Sequence, residues 1–200
     1  MSVVLRNDDH KYFLDWNKVT NELQLTEWDY VHVGNKSVLQ LSATYSVGMG
    51  LTGGQISGSW YDTTTQTSPV SGTASKMYCN STSYQNGIIK KFDSNFEVQY
   101  PGKYNLQFSV QLDQSAGSGQ HIYIWFRKNG IDEPYSASEV AIQGSVAESI
   151  PSWNYIFDLE AGDYVNIMYS VTSTNVELKS VTPTGIVPGI PSVIVTMWRL

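Results

Sequence analysis

Cysteine is almost absent from this chain of 200 residues, in which Cys79 is the only one. A single cysteine excludes an internal disulfide, so the protein matures in a reducing compartment or needs no covalent cross-link. Long apolar runs are missing as well, which excludes a transmembrane helix of about 18 or more apolar residues. Residues 1–9 lack the basic start and the apolar run of a secretion signal. We therefore expect a protein that is made in a cytoplasm and does not insert into a membrane.

Charge is also scarce. Charged residues make up 15% of the chain and the net charge is −6, whereas soluble domains average roughly 25% charged residues. The largest basic cluster is the pair Lys90-Lys91, which is too small for the basic stripe of a nucleic-acid groove. A polar surface with few charges suits large interfaces, where charges would have to be desolvated. The abundance of Tyr, Thr, Trp and Val is equally typical of any all-β protein.

Groupings of catalytic or metal-binding residues are missing too. The three histidines lie in separate predicted elements without the spacing of metal ligands, and Cys79 has no histidine near it in the sequence. We expect Cys79 to be shielded from solvent, and adjacent carboxylates to lie in solvated turns. The glycine-rich segment 46–54 lacks the Gly-Lys-Ser/Thr ending of a phosphate loop. The sequence therefore predicts no enzyme, no catalytic residue, no metal site and no cofactor. The histidines and adjacent carboxylates to which this prediction applies are His10, His32, His121, Asp8, Asp9, Asp132 and Glu133.

The first 50 residues differ from the rest of the chain. Apolar and aromatic segments flank two polar turns, at residues 17–21 and 34–36, which predicts two short β-hairpins. Isolated hairpins are marginal in water, so this part needs a partner surface. The glycines of residues 46–54 are typical of a linker. We therefore divide the chain into an anchor or shaft segment at residues 1–50 and a head domain at residues 51–200.

From Gln55 onward the pattern is that of strands and turns. Tyr104, Leu106, Phe108, Val110 and Leu112 alternate with polar residues, which indicates a strand with one buried face. Residues 122–126 are apolar on both faces, which predicts a strand covered by the core and by something else. Asn86-Gly87 predicts a hairpin turn. Eight or more short strands at this spacing, without sustained helical periodicity, predict an all-β sandwich or jelly roll.

Three motifs give this head a specific resemblance. Residues 96–110 hold an aromatic strand, then Pro-Gly-x-Tyr, then a second strand; residues 124–130 end in Lys-Asn-Gly; residues 159–165 read Leu-x-x-Gly-Asp-x-Val. With an apolar strand at residues 192–200, residues 55–200 resemble the jelly-roll superfamily of tumour necrosis factor and the complement globular head. Within this superfamily, the amino-acid sequence of these motifs is most similar to that of phage and other viral structural proteins. Gly102 and Gly162 fit sharp chain reversals, and Asp163 fits a structural acceptor for its own turn.

The resemblance implies a homotrimer whose subunits pack by the aromatic faces of the sandwich. It places six aromatic residues in the core or at the threefold axis, and the lack of charge in residues 122–126 and 193–198 favours burial there. The six residues are Tyr104, Phe108, Tyr123, Trp125, Tyr164 and Trp198.

Together these features predict an all-β jelly-roll head with an N-terminal β-hairpin extension. The expected function is that of a virion structural protein, from a phage in particular: a homotrimeric fibre, spike or capsid decoration that is made in the host cytoplasm and docks onto other virion proteins through residues 1–50. The alternative is a receptor- or carbohydrate-binding module of a virion, contacting a host surface glycan or receptor. Its recognition loops would be residues 62–86, 113–120 and 132–148, through Tyr61, Tyr78, Tyr84 and Tyr135.

Overall fold

The computed structural model describes the backbone of residues 3–6, 10–17, 22–33, 36–47, 55–117, 119–144 and 147–200, and side chains from Gln55 onward. The chain divides into two compact units, Met1–Gly54 and Gln55–Leu200. The predicted boundary between residues 50 and 51 and most of the glycine-rich segment fall outside the described residues.

The first unit contains one antiparallel sheet in the order β1-β2-β3-β4. Its strands are β1 (Val3–Arg6), β2 (His10–Asn17), β3 (Glu22–Val33) and β4 (Lys36–Val47). Both predicted hairpins are confirmed, although residues 18–21 and 34–35 of their turns lie outside the described part. The predicted strands were too short, because residues 26–30 also alternate and pair with β4, past a bulge between Glu27 and Trp28.

The described part of the second unit, the head, consists of strands and one short 3-10 helix, Phe92–Ser94. The early strands are β5 (Ser57–Asp62), β6 (Gln66–Thr67), β7 (Ser75–Lys76), β8 (Ser81–Asn86), β9 (Ile88–Lys91), β10 (Asn95–Val98), β11 (Gly102–Val110) and β12 (Leu112–Gln114). The later strands are β13 (Gln120–Lys128), β14 (Ile131–Asp132), β15 (Ser138–Ile142), β16 (Ala147–Ser149), β17 (Ser152–Leu159), β18 (Tyr164–Val171), β19 (Val176–Leu178) and β20 (Val193–Arg199).

Two large antiparallel sheets face each other across the core of the head. The first has the order β17-β11-β20-β5-β8. The second has the order β14-β13-β18-β10-β9, with β15 also paired to β13 and β7 to β18. A shorter sheet, β16-β12-β19-β6, extends the sandwich where β12 continues β11. This arrangement confirms the predicted all-β sandwich.

Aromatic residues from both large sheets meet in the core. The ring centroids of Trp60 and Phe96 lie 4.7 Å apart, and Phe126 lies 5.9 Å from Phe108 and 5.6 Å from Phe157. The alternation predicted for β11 is confirmed, since Tyr104, Leu106, Phe108 and Val110 are all buried.

Two local predictions are wrong. Asn86-Gly87 does not close a hairpin: β8 pairs with β5 in one sheet and β9 pairs with β10 in the other, so this turn carries the chain between sheets. Gly87 has φ +69°, and a Cβ there would lie 3.0 Å from Ile56 Cγ2. Phe92, Phe96 and Val98 follow the two-residue period in the sequence, which predicts that all three point inward from a strand. Phe92 is instead almost fully exposed, because it begins the 3-10 helix, in which Ser94 adopts φ +54°.

Candidate functional site

The six predicted aromatic residues occupy three different places. Tyr104 and Phe108 lie in the core, and the Tyr104 hydroxyl donates to the Tyr100 carbonyl at 2.7 Å. The other four residues are outside the core, because side chains alternate along a strand and theirs occupy the outward positions. Tyr123, Trp125 and Tyr164 lie on the outer face of the seven-stranded sheet, and Trp198 lies on the outer face of the five-stranded sheet.

Ion pairs cover the outer face of the seven-stranded sheet, here called the charged face. Arg127 Nε donates to Asp132 Oδ1 at 2.8 Å, and His121 Nδ1 lies 2.8 Å from Glu139 Oε1. A further ion pair joins Lys91 to Glu97. Ile122, Ile124 and Phe126 are buried in the core, as the absence of charge in residues 122–126 predicted. On the outward side of β13, neighbouring strands bring charge and Tyr123 is 40% exposed, so cover by a second copy stays a prediction.

The outward aromatic residues of β13 are bound into this charged face. Trp125 Nε1 donates to Asp132 Oδ1 at 2.8 Å. Hydrogen bonds from Arg127 and Trp125 hold the pKa of Asp132 below its ordinary value. The hydrogen bond and negative charge of Glu139 raise the pKa of Tyr123. These side chains therefore already have partners within one copy of the chain.

The outer face of the five-stranded sheet has a different composition and is here called the charge-free face. Its outward residues form three cross-strand rows, and none of the residues in these rows is charged. The next outward pair beyond these rows is charged: Lys103 of β11 lies in register with Asp158 of β17, and this pair ends the charge-free face. The rows are Ile156-Asn105-Trp198-Ser57-Asn86, Asn154-Gln107-Thr196-Ser59-Tyr84 and Ser152-Ser109-Ile194-Tyr61-Ser81.

The charge-free face mixes exposed apolar groups with amides and hydroxyls. Ile156 and Ile194 are 54% and 41% exposed. Asn154 Nδ2 donates to Asn105 Oδ1 at 2.8 Å, which joins two neighbouring strands. Such a surface can be covered without removing any ion from water, so its desolvation costs less than that of a charged surface, provided that its amides and hydroxyls find hydrogen-bond partners. Once the strand order is known, the sequence shows that the outward positions of the three rows carry no charge. Our prediction included Trp198, Tyr61 and Tyr84 but missed the polar residues around them.

A pocket of about 530 Å3 lies at the upper end of the charge-free face. Tyr61, Ser59 and Ile194 of the face form one wall, and Ser83 of β8 contributes to it. The opposite wall comes from the segment between β19 and β20, through residues such as Val181, Pro183, Pro188 and Ile190. All residues that line the pocket are uncharged.

The four tyrosines predicted for recognition are separated as well. Tyr61 and Tyr84 are exposed on β5 and β8, so they belong to the charge-free face and not to a loop. Tyr78 is half-exposed before β8. Tyr135 is fully exposed at φ +57°, a conformation that bulky residues rarely adopt. The proposed loops are also partly strand: residues 62–86 include β6, β7 and β8, residues 113–120 include part of β12, and residues 132–148 include β15 and part of β16.

Asp163 has a structural environment, as predicted. It accepts hydrogen bonds from the backbone N–H of Glu160 at 2.9 Å and from Asn129 Nδ2 at 2.8 Å, and its Oδ2 lies 2.9 Å from Lys128 Nζ. Burial acts to raise the pKa of Asp163, but these hydrogen bonds outweigh it and hold the pKa below its ordinary value. The carboxylate thus ties the turn before β18 to the turn after β13.

Cys79 is buried, as predicted, and burial raises the pKa of its thiol to about 12. The thiol therefore stays protonated near neutral pH. Of the predicted acidic turns, Asp132 lies in β14 with an exposed side chain, whereas Asp8-Asp9 falls outside the described residues. The side chains of His10 and His32 are likewise outside the description. Among the described residues, no three His, Cys, Asp or Glu side chains come together as possible metal ligands.

No known protein-family model matches the chain, and no curated protein matches its sequence. Within the described residues, no helix has the length and apolar character needed to span a membrane.

Proposed function

We propose that this protein is a homotrimeric virion structural protein, a fibre, spike or capsid decoration of phage type. In this proposal the head self-associates through the charge-free face, and the N-terminal unit attaches to other virion proteins. The viral and trimeric parts of the proposal rest on the sequence resemblance. Self-association rests on one observation: three adjoining rows of outward side chains across five strands contain no charge.

The dimensions of the charge-free face support this role. Five strands about 4.8 Å apart and three rows about 7 Å apart cover a flat footprint of roughly 500 Å2. A standard interface buries about 800 Å2 of accessible surface per partner, which is of the same order. Exposed Ile156, Ile194, Tyr61 and Tyr84 supply apolar area across the footprint. Amides and hydroxyls between them supply hydrogen bonds without the desolvation cost of ions.

The first experiment is the mass of the purified protein in solution, measured by light scattering or sedimentation equilibrium. We expect about three times the chain mass of 22.3 kDa. A stable monomer at micromolar concentration would contradict self-association.

The second experiment removes residues 1–54 and measures co-sedimentation with particles that contain the protein. We expect attachment to be lost while the head keeps its β-type circular dichroism and its thermal unfolding transition. Normal attachment of a folded, truncated head would show that the anchor assignment is wrong.

A receptor- or carbohydrate-binding module is the second candidate, and the conformation of Tyr135 favours it. Ser136 is buried, and its hydroxyl accepts from the Phe126 N–H and donates to the Glu133 carbonyl, which holds the neighbouring Tyr135 in its exposed left-handed conformation. Strained, exposed residues are concentrated at functional sites. Glycan-array or host-cell binding by residues 55–200 that is lost in Tyr135→Ala, but kept in Tyr84→Ala, would favour this function.

A further inference from the structure

The segment between β19 and β20 forms a short hairpin with an apolar tip. Val181 and Ile190 exchange two backbone hydrogen bonds of 2.9 Å at its base. At the tip, Ile186 is 96% exposed and Val187 is also exposed. We call Ile186 and Val187 the hairpin tip, and the pocket of about 530 Å3 beside the hairpin base the tip pocket.

The hairpin is held in one conformation. The Thr184 N–H donates to the Val187 carbonyl at 2.9 Å, and the Thr184 hydroxyl accepts from the Val187 N–H at 3.1 Å. Pro183 packs against Gly189, where an added Cβ would lie 3.2 Å from the proline ring. A preorganised segment loses little conformational entropy when it binds, so its exposed apolar side chains can act as anchors at low cost.

The tip pocket matches such an anchor in chemistry. Its lining combines Val181, Pro188 and Ile194 with hydroxyls such as those of Ser59 and Ser83, and it contains no charged residue. The volume lies within the range of roughly 300–1,000 Å3 that is typical of binding pockets. Ile186 does not line the pocket of its own chain, so one copy leaves both the tip and the pocket exposed to water.

We propose that the hairpin tip of one copy docks into the tip pocket of a neighbouring copy. This inference rests on the proposed self-association, because the pocket shares Ser59, Tyr61 and Ile194 with the charge-free face. In the proposed trimer each copy gives its tip to one neighbour and receives the tip of the other neighbour, so the contact is heterologous. A heterologous contact forms a closed ring when its rotation closes, and each copy then supplies the side chains that complete the site of the next.

The test compares three variants of the full chain with the wild type by sedimentation equilibrium. Ile186→Asp places a carboxylate on the tip, and Ser83→Trp fills the pocket from β8. Ile131→Asp is the control, because Ile131 is 74% exposed on β14 of the other large sheet. We expect Ile186→Asp and Ser83→Trp each to raise the dissociation constant of the oligomer at least about 30-fold, the change typical of an anchor residue. Ile131→Asp should have no effect.

Mixing the two variants gives a sharper result. Ile186→Asp retains an intact pocket and Ser83→Trp retains an intact tip, so the mixture can form one complete contact and no ring. At a concentration at which each variant alone is monomeric, we expect the mixture to contain a species of twice 22.3 kDa.

Two outcomes separate this inference from the proposed function. A wild-type monomer would overturn both self-association and tip docking. An oligomeric wild type whose mass is unchanged by Ile186→Asp would overturn tip docking alone and leave the charge-free face as the interface. Circular dichroism of each variant confirms that it is folded.

Discussion

The two large sheets of the head enclose one core but present different surfaces to the outside. On the charged face, the outward aromatic residues are held by acidic partners, as Trp125 is by Asp132. On the charge-free face, exposed side chains such as Ile156 and Tyr84 lie among amides and hydroxyls. The comparison shows that exposed aromatic or apolar residues do not by themselves indicate an interface. The charges that surround them determine how much it costs to cover them.

The largest expected effect is on the dissociation constant of the oligomer, and it should distinguish two variants that each add one positive charge, one on each face. Thr196→Lys adds an ammonium group at the centre of the charge-free face, and Ser170→Lys adds one to the outward side of β18 on the charged face. An unpaired buried charge costs several kcal/mol, so we expect Thr196→Lys to weaken the oligomer by more than about 100-fold. Ser170→Lys should leave the mass unchanged. Equal effects of the two variants would remove the distinction between the faces.

A smaller effect should follow from removing the carboxylate that ties the turns of the seven-stranded sheet together. Asp163→Ala leaves the Glu160 N–H, Asn129 and Lys128 without a shared acceptor, so we expect the free energy of unfolding to fall by about 2 kcal/mol. Urea denaturation measures this loss, with the exposed Asp158→Ala as control. The oligomer mass below the unfolding transition should not change. A change in mass would mean that this end of the head also contributes to the interface.

The smallest expected effect is the change in the free energy of unfolding with pH. The pKa values of Asp132 and Asp163 are lowered in the folded protein, so their contribution to stability is present above the unfolded value of about 4 and is lost as pH falls through the folded value. For exposed Asp132 we expect a contribution to the free energy of unfolding of less than about 1 kcal/mol. Urea denaturation of the wild type and of Asp132→Asn at pH 7 and at pH 3 measures this contribution. Self-association should persist as long as the head stays folded, because the charge-free face contains no carboxylate. Dissociation of folded heads between pH 7 and pH 5 would show that ionised groups hold the oligomer together.

Sequence reasoning predicted the fold more completely than the candidate site. The alternation in β11, the turn role of Asp163 and the burial of Cys79 were all confirmed, because each depends on a local pattern or on the polarity of one side chain. The Asn86-Gly87 turn was misassigned because its two flanking strands do not pair with each other: β8 pairs with β5, and β9 pairs with β10. A local motif indicates that the chain turns, but it does not determine which strand receives the next hydrogen bonds.

Of the six aromatic residues, the structure places only Tyr104 and Phe108 in the core, and a position of the other four at a threefold axis stays a prediction. Tyr123 and Trp125 lie in an uncharged run of sequence, but the charges that reach them come from β14 and β15 across the sheet. The charge-free face is assembled from five strands that come from different parts of the chain, and each contributes three outward residues. Its absence of charge can be read from the sequence only when the strand order is known.

The sequence alone determined that the chain is all-β and that one side of the long strands of the head is buried. These properties depend on composition and on the two-residue period of side chains along a strand. Only the tertiary structure decided which outward side chains became neighbours, and with them the two faces and the tip pocket. Residues that touch across two strands lie about 5 Å apart in space but many residues apart in sequence. The sequence therefore shows which residues point outward from each strand, and strand pairing decides which of them share a face.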